Sequence, residues 1–229
     1  MSRALGLVRT SLRHTRHVSR TSITRLSDKA SSDRATLDRL LDSVQIGHFA
    51  VVADDGYPVV LPTAIVRDGD RVLAHGSTGS RWLQRLAAGA QTCLAVTAFD
   101  ALVVARSAFE SSMRYRSAVL FGQCRAITEQ DTKRRALDTI TDALLPGRSA
   151  EIRAPTAKEL AATLVLALPI TEWSLKVSQG WPEDPPSDVA GPAWAGVLPL
   201  VQRYDQPLAA PDLRDGIPLP ASVQRLLIS

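Results

Sequence analysis

The residues best placed to do chemistry lie in the run Arg71-Val72-Leu73-Ala74-His75-Gly76-Ser77-Thr78-Gly79-Ser80-Arg81-Trp82-Leu83-Gln84-Arg85-Leu86, a strand that breaks into a hydroxyl-rich loop and restarts as a basic helix. Small residues let backbone N–H groups turn toward one point. Ser77, Thr78 and Ser80 add hydroxyl donors, and a helix starting near Ser80 adds its unpaired first-turn amides and positive dipole end. Arg81 and Arg85, one helical turn apart, offer charge-assisted bonds to an anion. This is the pattern of a phosphate cradle. It is equally the punctuation of a plain strand-to-helix connection, and the residues leave both readings open.

The elements that must hold this run are short strands with inserted helices. Asp33–Ser43 reads as an amphipathic helix capped by Ser32 or Asp33, with Leu37, Leu40, Leu41 and Val44 on the face that lids a barrel. Two glycine-turn hairpins follow as an antiparallel meander: His48–Ala53, turn Asp54-Asp55-Gly56, Tyr57–Val66, turn Asp68-Gly69-Asp70, Arg71–His75. After the helix Ser80–Ala88, closed by Gly89, strands are expected at Thr92–Thr97, Leu102–Ala105 and Ser117–Ile127. Glu129–Leu145 is an amphipathic helix with Ala136, Leu137, Ile140, Ala143 and Leu144 inward and Pro146-Gly147 as its stop. Strands at Thr163–Ile170 and Trp173–Val177 complete the pattern. Helices inserted irregularly among short strands argue for a mainly β or α+β barrel and against a doubly wound sheet. From Gln179 onward frequent Pro and Gly predict an extended segment that wraps the surface or a partner subunit.

Bulk properties bound the rest. A chain of 229 residues, 45% hydrophobic and 5% aromatic, buries one aliphatic core in one domain. Cys93 and Cys124 stand far apart with no C-x-x-C spacing, which excludes a disulfide-dense secreted scaffold and argues against a thiolate metal centre. No apolar run reaches membrane-spanning length, and the N-terminus lacks a secretory signal, so a cytoplasmic protein is expected. Residues 1–27 hold six Arg and no acid, more than the whole chain's net charge of +4, so the body is slightly acidic. The arm reads first as a disordered tail; Leu5, Leu7, Val8 and Leu12 keep a targeting or membrane-surface role open, and a nucleic-acid arm is the third reading. Nothing in the body fits nucleic acid.

Several reaction classes are missing their residues. There is no G-K-[ST] phosphate loop, no G-x-G-x-x-G, no H-E-x-x-H and no G-x-S-x-G. Two of four histidines fall in the arm, leaving His48, a structural strand residue, and His75 beside the cradle. A phosphate site with so little acid–base equipment is what a cofactor-driven reaction requires.

Taken in order, Asp33–Ser43, Tyr57-Pro58-Val59-Val60-Leu61-Pro62-Thr63, Leu73-Ala74-His75-Gly76-Ser77, Leu102–Phe109, Met113-Arg114-Tyr115-Arg116-Ser117 through Gly122, Pro155–Thr163 and Trp194–Leu200 carry a resemblance. From Ser22 to the C-terminus the chain resembles the flavin-nucleotide-binding proteins of the pyridoxamine 5′-phosphate oxidase-like superfamily, on the side of the Nim-type nitroimidazole reductases. The resemblance implies an FMN-binding antiparallel split β-barrel with flanking helices, working as a homodimer with the flavin between subunits. It divides the chain into an arm (1–21), the barrel domain (22–178) and a C-terminal segment (179–229) packed on barrel or partner. It places the FMN phosphate on Ser77, Thr78, Ser80 and Arg81 near His75. The ring lies against Val60, Leu61, Pro62 and Thr63, with a second contact at Tyr115, Arg116 and Ser117. Trp194 covers the flavin or the dimer seam, or anchors the C-terminal wrap. The C-terminal Arg-x-His pair of the B6-phosphate oxidases is absent, so that substrate is not expected. The activity implied is electron transfer from a reduced nicotinamide-type donor to a small organic acceptor. The alternative is a flavin, haem or deazaflavin binding protein on the same barrel, with His75 as the axial ligand.

Overall fold

The computed structural model describes residues 19–228. A short strand β1 (Ala30–Ser31) leads into helix α1 (Arg34–Ser43). Asp33 caps α1, its carboxylate accepting from the amides of Ala35 and Thr36, and Leu37, Leu40 and Leu41 are buried. Strands β2 (Ile46–Val52) and β3 (Pro58–Ala64) form the first hairpin, whose turn uses Gly56 at φ +82°. The strand expected to run unbroken from Tyr57 to Val66 is divided. The chain crosses at Ile65 into β4 (Val66–Asp68), which pairs with β5 (Arg71–Ser77) in a different sheet. Burial of Ile65 in the core is the cause, so the expected meander is two hairpins on two sheets.

Helix α2 (Arg81–Ala87) ends at Gly89, φ +85°. The two strands expected next are one, β6 (Gln91–Val104), carried through a bulge between Phe99 and Ala101 that leaves Asp100 without a partner on β7 (Ser112–Gln123). A second crossing follows Gly122, and β8 (Arg125–Ala126) joins the other sheet. Helix α3 (Gln130–Leu144) is capped by Glu129 and buries Ala136 and Ile140, whereas Ala143, expected inward, is exposed. A 3₁₀ turn (Ser149–Glu151) and α4 (Ala157–Ala162), with a Thr156/Glu159 capping box, lead to β9 (Thr163–Pro169) and β10 (Glu172–Ser178). The C-terminal part adds α5 (Pro186–Val189), β11 (Gly196–Pro199) and α6 (Ala221–Ile228).

The first sheet has the order β1-β10-β7-β6-β2-β3, with β11 continuing the β2 edge of β6; the second has the order β4-β5-β9-β8. Every pairing is antiparallel, and the two sheets with their flanking helices make a split barrel. Phe49, Leu94, Leu120, Leu166 and Leu168 fill the space between them beneath α1 and α2. A smaller cluster, Leu73, Val165, Ala136 and Ile140, lies between β5, β9 and α3. The C-terminal helix is tied to the 3₁₀ turn: the Ser222 amide and hydroxyl donate to Glu151 at 2.9 and 2.5 Å, and Arg225 donates to the Pro146 carbonyl at 2.7 Å.

A Cβ on Gly47 would sit 2.6 Å from Leu94 Cδ1 and 3.0 Å from Ile65 Cδ1, both in the core. Gly47→Ala is therefore expected to cost about 1–3 kcal/mol in urea unfolding, while Gly180→Ala, with nothing within 4 Å, should be near neutral. The hydrogen bonds from Ser222 hold the Glu151 carboxyl below its ordinary 4.5. A depressed folded value means that the α6 contact is fully present above that pH and is lost as pH falls through the folded value. Amide exchange in α6 should accelerate, relative to β6, on acidification below 4.5. Glu151→Gln should remove that dependence.

Candidate functional site

Strand β5 runs straight into the hydroxyl-rich loop, and the loop's own bonds decide what remains for a ligand. The Thr78 amide donates to the Ala162 carbonyl at 3.0 Å, the Gly79 amide to Ser77 Oγ at 3.1 Å and the Ser80 amide to the Ser77 carbonyl at 3.0 Å. The loop amides are thus spent on the loop itself, contrary to the expectation that they converge on an anion. Gln84 Nε2 adds a bond to the Thr78 carbonyl at 2.6 Å. Arg85 is drawn away into an ion pair with Asp54 on the β2–β3 turn. What is left free is a different set: the Thr78 and Ser80 hydroxyls and the exposed Arg81 guanidinium have no partner among the described residues. An anion here is met by side chains.

Val60, Leu61, Pro62 and Thr63 lie on β3, the edge strand of the first sheet, opposite Ala50, Phe49, His48 and Gly47. Val60 and Pro62 stand exposed on the outer face beside His48, while Leu61 and Thr63 are half-buried on the other side. Pro62 is tolerated because an edge strand has a side with no ladder to supply. His75 obeys the alternation of β5: Val72 and Ala74 join the main core, and Leu73 and His75 turn the other way, toward α3. There the imidazole enters a pocket of about 600 Å³ lined by Leu137, Thr141, Ile152, Arg153, Pro155 and Glu159. His75 is half-buried and its Nδ1 is buried without a hydrogen-bond partner. Desolvation lowers its pKa, favouring the neutral ring, which is the ligating form. At the rim, Arg153 grips Glu159 with two bonds of 2.8 and 2.6 Å and holds that carboxyl down to about 2.

Tyr115, Arg116 and Ser117 lie on β7, with β6 and β2 between it and β3, so even the lateral separation is about 14 Å. Tyr115 and Ser117 face outward with Val60, whereas Arg114 and Arg116 point to the α1 side. Arg116 donates to both oxygens of Asp100, the bulge residue, at 3.0 and 2.9 Å. Arg114 donates to the Gly180 carbonyl and lies 5.0 Å over the Trp181 ring. These groups line a groove of about 990 Å³ with Arg39 and Val177. Trp194 is 68% exposed and folds over Gly196, so it is not a core anchor. The chain therefore brings together His75, Ser77, Thr78, Ser80 and Arg81 along one strand and loop, and it leaves Tyr115, Arg116, Ser117 and Trp194 elsewhere. The sequence reading did not find the Arg153–Glu159 rim, the Asp100 anchor or the Trp181 platform. Only the capping-box spacing of Thr156 and Glu159 marked any of them locally.

The assembled groups are hydrogen-bond donors, which bind and orient an anion, and a neutral imidazole, which can ligate a metal or accept a proton. The family model described as pyridoxamine 5′-phosphate oxidase matches residues 33–177. Among curated proteins there is no match. The solved structure of the FAD and heme binding protein from Mycobacterium smegmatis is 53% identical, covering 87% of this chain and 97% of that one with a TM-score of 0.83. The flavocytochrome Anf3 from Azotobacter vinelandii is 35% identical, covering 91% and 97% with a TM-score of 0.84. The matched span runs from the cap of α1 to the penultimate residue of β10, which takes in every strand of the two sheets except β1 and β11, and the chain belongs to the pyridoxamine 5′-phosphate oxidase family.

Proposed function

We propose that this chain is a flavin-binding oxidoreductase that carries a haem beside its flavin and passes electrons from a reduced nicotinamide-type donor to a small organic acceptor. The observation that carries the reading is the layout of β5. His75 offers a half-buried neutral imidazole to the α3 pocket, and the free hydroxyls and guanidinium of Thr78, Ser80 and Arg81 begin three residues later. Imidazole and anion site are thus within about 10 Å along the backbone. The residues fit both groups. Leu137, Ile152 and Pro155 give the pocket apolar walls for a macrocycle, and Arg81 with two hydroxyls suits a phosphate. The resemblance alone implies FMN; the FAD and haem named for the mycobacterial relative, and the flavocytochrome at 35% identity, support FAD with haem.

When bound, a flavin exchanges hydride or single electrons and a haem exchanges single electrons. The protein's part is positional. Thr78, Ser80 and Arg81 hold the phosphate end, and the open edge of β3 at Val60–Thr63 presents backbone donors and acceptors to the ring. His75 keeps a nitrogen lone pair turned to the pocket. A homodimer belongs to this reading, because the β3 edge and the Tyr115–Ser117 contact serve one ring only if they come from two copies. Two free thiols, and no described helix long and apolar enough to cross a membrane, support a cytoplasmic setting. The substrate is a small molecule and not a nucleic acid. Residues 1–18, with most of the basic arm, lie outside the described residues.

The test is the absorption spectrum of the protein as purified, with mass identification of what denaturation releases. Flavin bands and a Soret band are expected, His75→Ala losing the Soret band and keeping the flavin, Arg81→Ala doing the reverse. A Soret band that survives His75→Ala overturns the haem assignment, and flavin content unchanged by Arg81→Ala overturns the phosphate site.

A further inference from the structure

From Leu198 to Leu219 every residue is exposed, and beyond Pro199 there is neither helix nor strand until α6. The stretch is rich in apolar side chains: Val201 is 78% exposed and Leu208 95%, with Leu200, Leu213, Ile217 and Leu219 among the others. Yet it is fastened at both ends. Upstream, β11 pairs with β6, the Leu200 amide donates to the Asp100 carbonyl at 2.9 Å, and Gln45 donates to the Tyr204 hydroxyl at 3.1 Å. Downstream, Ser222 and Arg225 lock α6 to the 3₁₀ turn and the Pro146 carbonyl. A segment held extended between two anchors gives up chain entropy and fully buries none of its side chains in return. The outer face of the first sheet is uncovered as well, with Ile46, Val52 and Val60 exposed around His48.

The area involved is large. A compact protein of 24.7 kDa exposes about 10,000 Å², and this chain exposes 16109 Å². Residues 1–18, outside the described residues, can account for at most about 2,900 Å² of the difference. The remaining excess, about 3,000 Å² per chain, is enough for a large obligate interface. The strap's charges are mixed, Arg203 and Arg214 against Asp205, Asp212 and Asp215, which does not suit an anionic lipid surface. A second copy answers both needs, since each copy brings one bare sheet face and one strap to a two-fold contact.

We infer that Val201–Leu219 is an exchanged strap that lies across a second copy of this chain, the two copies meeting over the outer face of the β3-β2-β6-β7 sheet. The inference rests on the reading above, in which the cofactor groove lies between protomers, and it adds the segment that closes the pair. This segment lies outside the span matched by the family model, residues 33–177.

The test places a photo-crosslinking benzoylphenylalanine at Leu208 of the full chain, co-expressed with an unsubstituted copy bearing a different tag. Illumination is expected to give a double-length product carrying both tags, its linked peptides joining the strap to the other copy's body. If the protein sediments as a dimer but the crosslinks stay within one chain or do not form, the strap is not exchanged, while the shared groove stands. Sedimentation as a monomer overturns both.

Discussion

The crossing at Ile65, where the chain leaves one sheet for the other, is the constraint on which the rest of the structure depends. With only 5% aromatic residues the core cannot be filled by a few large rings, so aliphatic side chains from two sheets must close on one another. Ile65 is 2% exposed and packs into the space left by the missing side chain of Gly47, while its amide donates to the Gln45 carbonyl and so stays paired through the turn. Because β3 and β4 part here, β5 acquires two covered faces. Val72, Ala74 and Gly76 look to the main core and α2; Leu73 and His75 look to α3. The pocket that receives His75 is a consequence of that division.

The bulge at Asp100 is the polar counterpart. Its carboxylate takes both bonds from Arg116, raising the guanidinium pKa through that contact, and its carbonyl receives the Leu200 amide. One irregular residue thus fixes a cation on the α1 side and the start of the C-terminal strap. It lets β6 continue past β2, so that β11 can occupy the same edge further along. Without the bulge Arg116 would be a half-buried charge in search of a partner.

The site shows a division of labour that the chemistry of a bound cofactor would make reasonable. Backbone groups of the loop stabilise the loop, and the side chains at its lip face solvent. Three carboxylates near the pocket are committed to structure: Glu159 to Arg153 and Thr156, Asp142 to Ser149, Glu151 to Ser222. Two groups lining the pocket stay uncommitted, the neutral imidazole of His75 and the half-buried carboxylate of Asp138 on α3.

The sequence by itself determined what short-range physics controls. The start of α1 at Ser32 or Asp33, the helix beginning at Glu129, the turns at Gly56 and Gly69, and the strand–loop–helix run through His75 and Arg81 were all legible, because caps, periodicity and left-handed glycines act within a few residues. The Thr-x-x-Glu spacing of Thr156 and Glu159, the α4 capping box, is a local helix start of the same kind. The tertiary structure alone decided that Ile65 ends a strand, that Asp100 joins two expected strands into one, that Asp54 claims Arg85, and that the loop amides turn inward. It alone separated Tyr115–Ser117 from Val60–Thr63 by two strands and sent His75 to the α3 side. Each of these depends on a partner far away in the chain, and local residue pattern carries no record of which distant group will arrive.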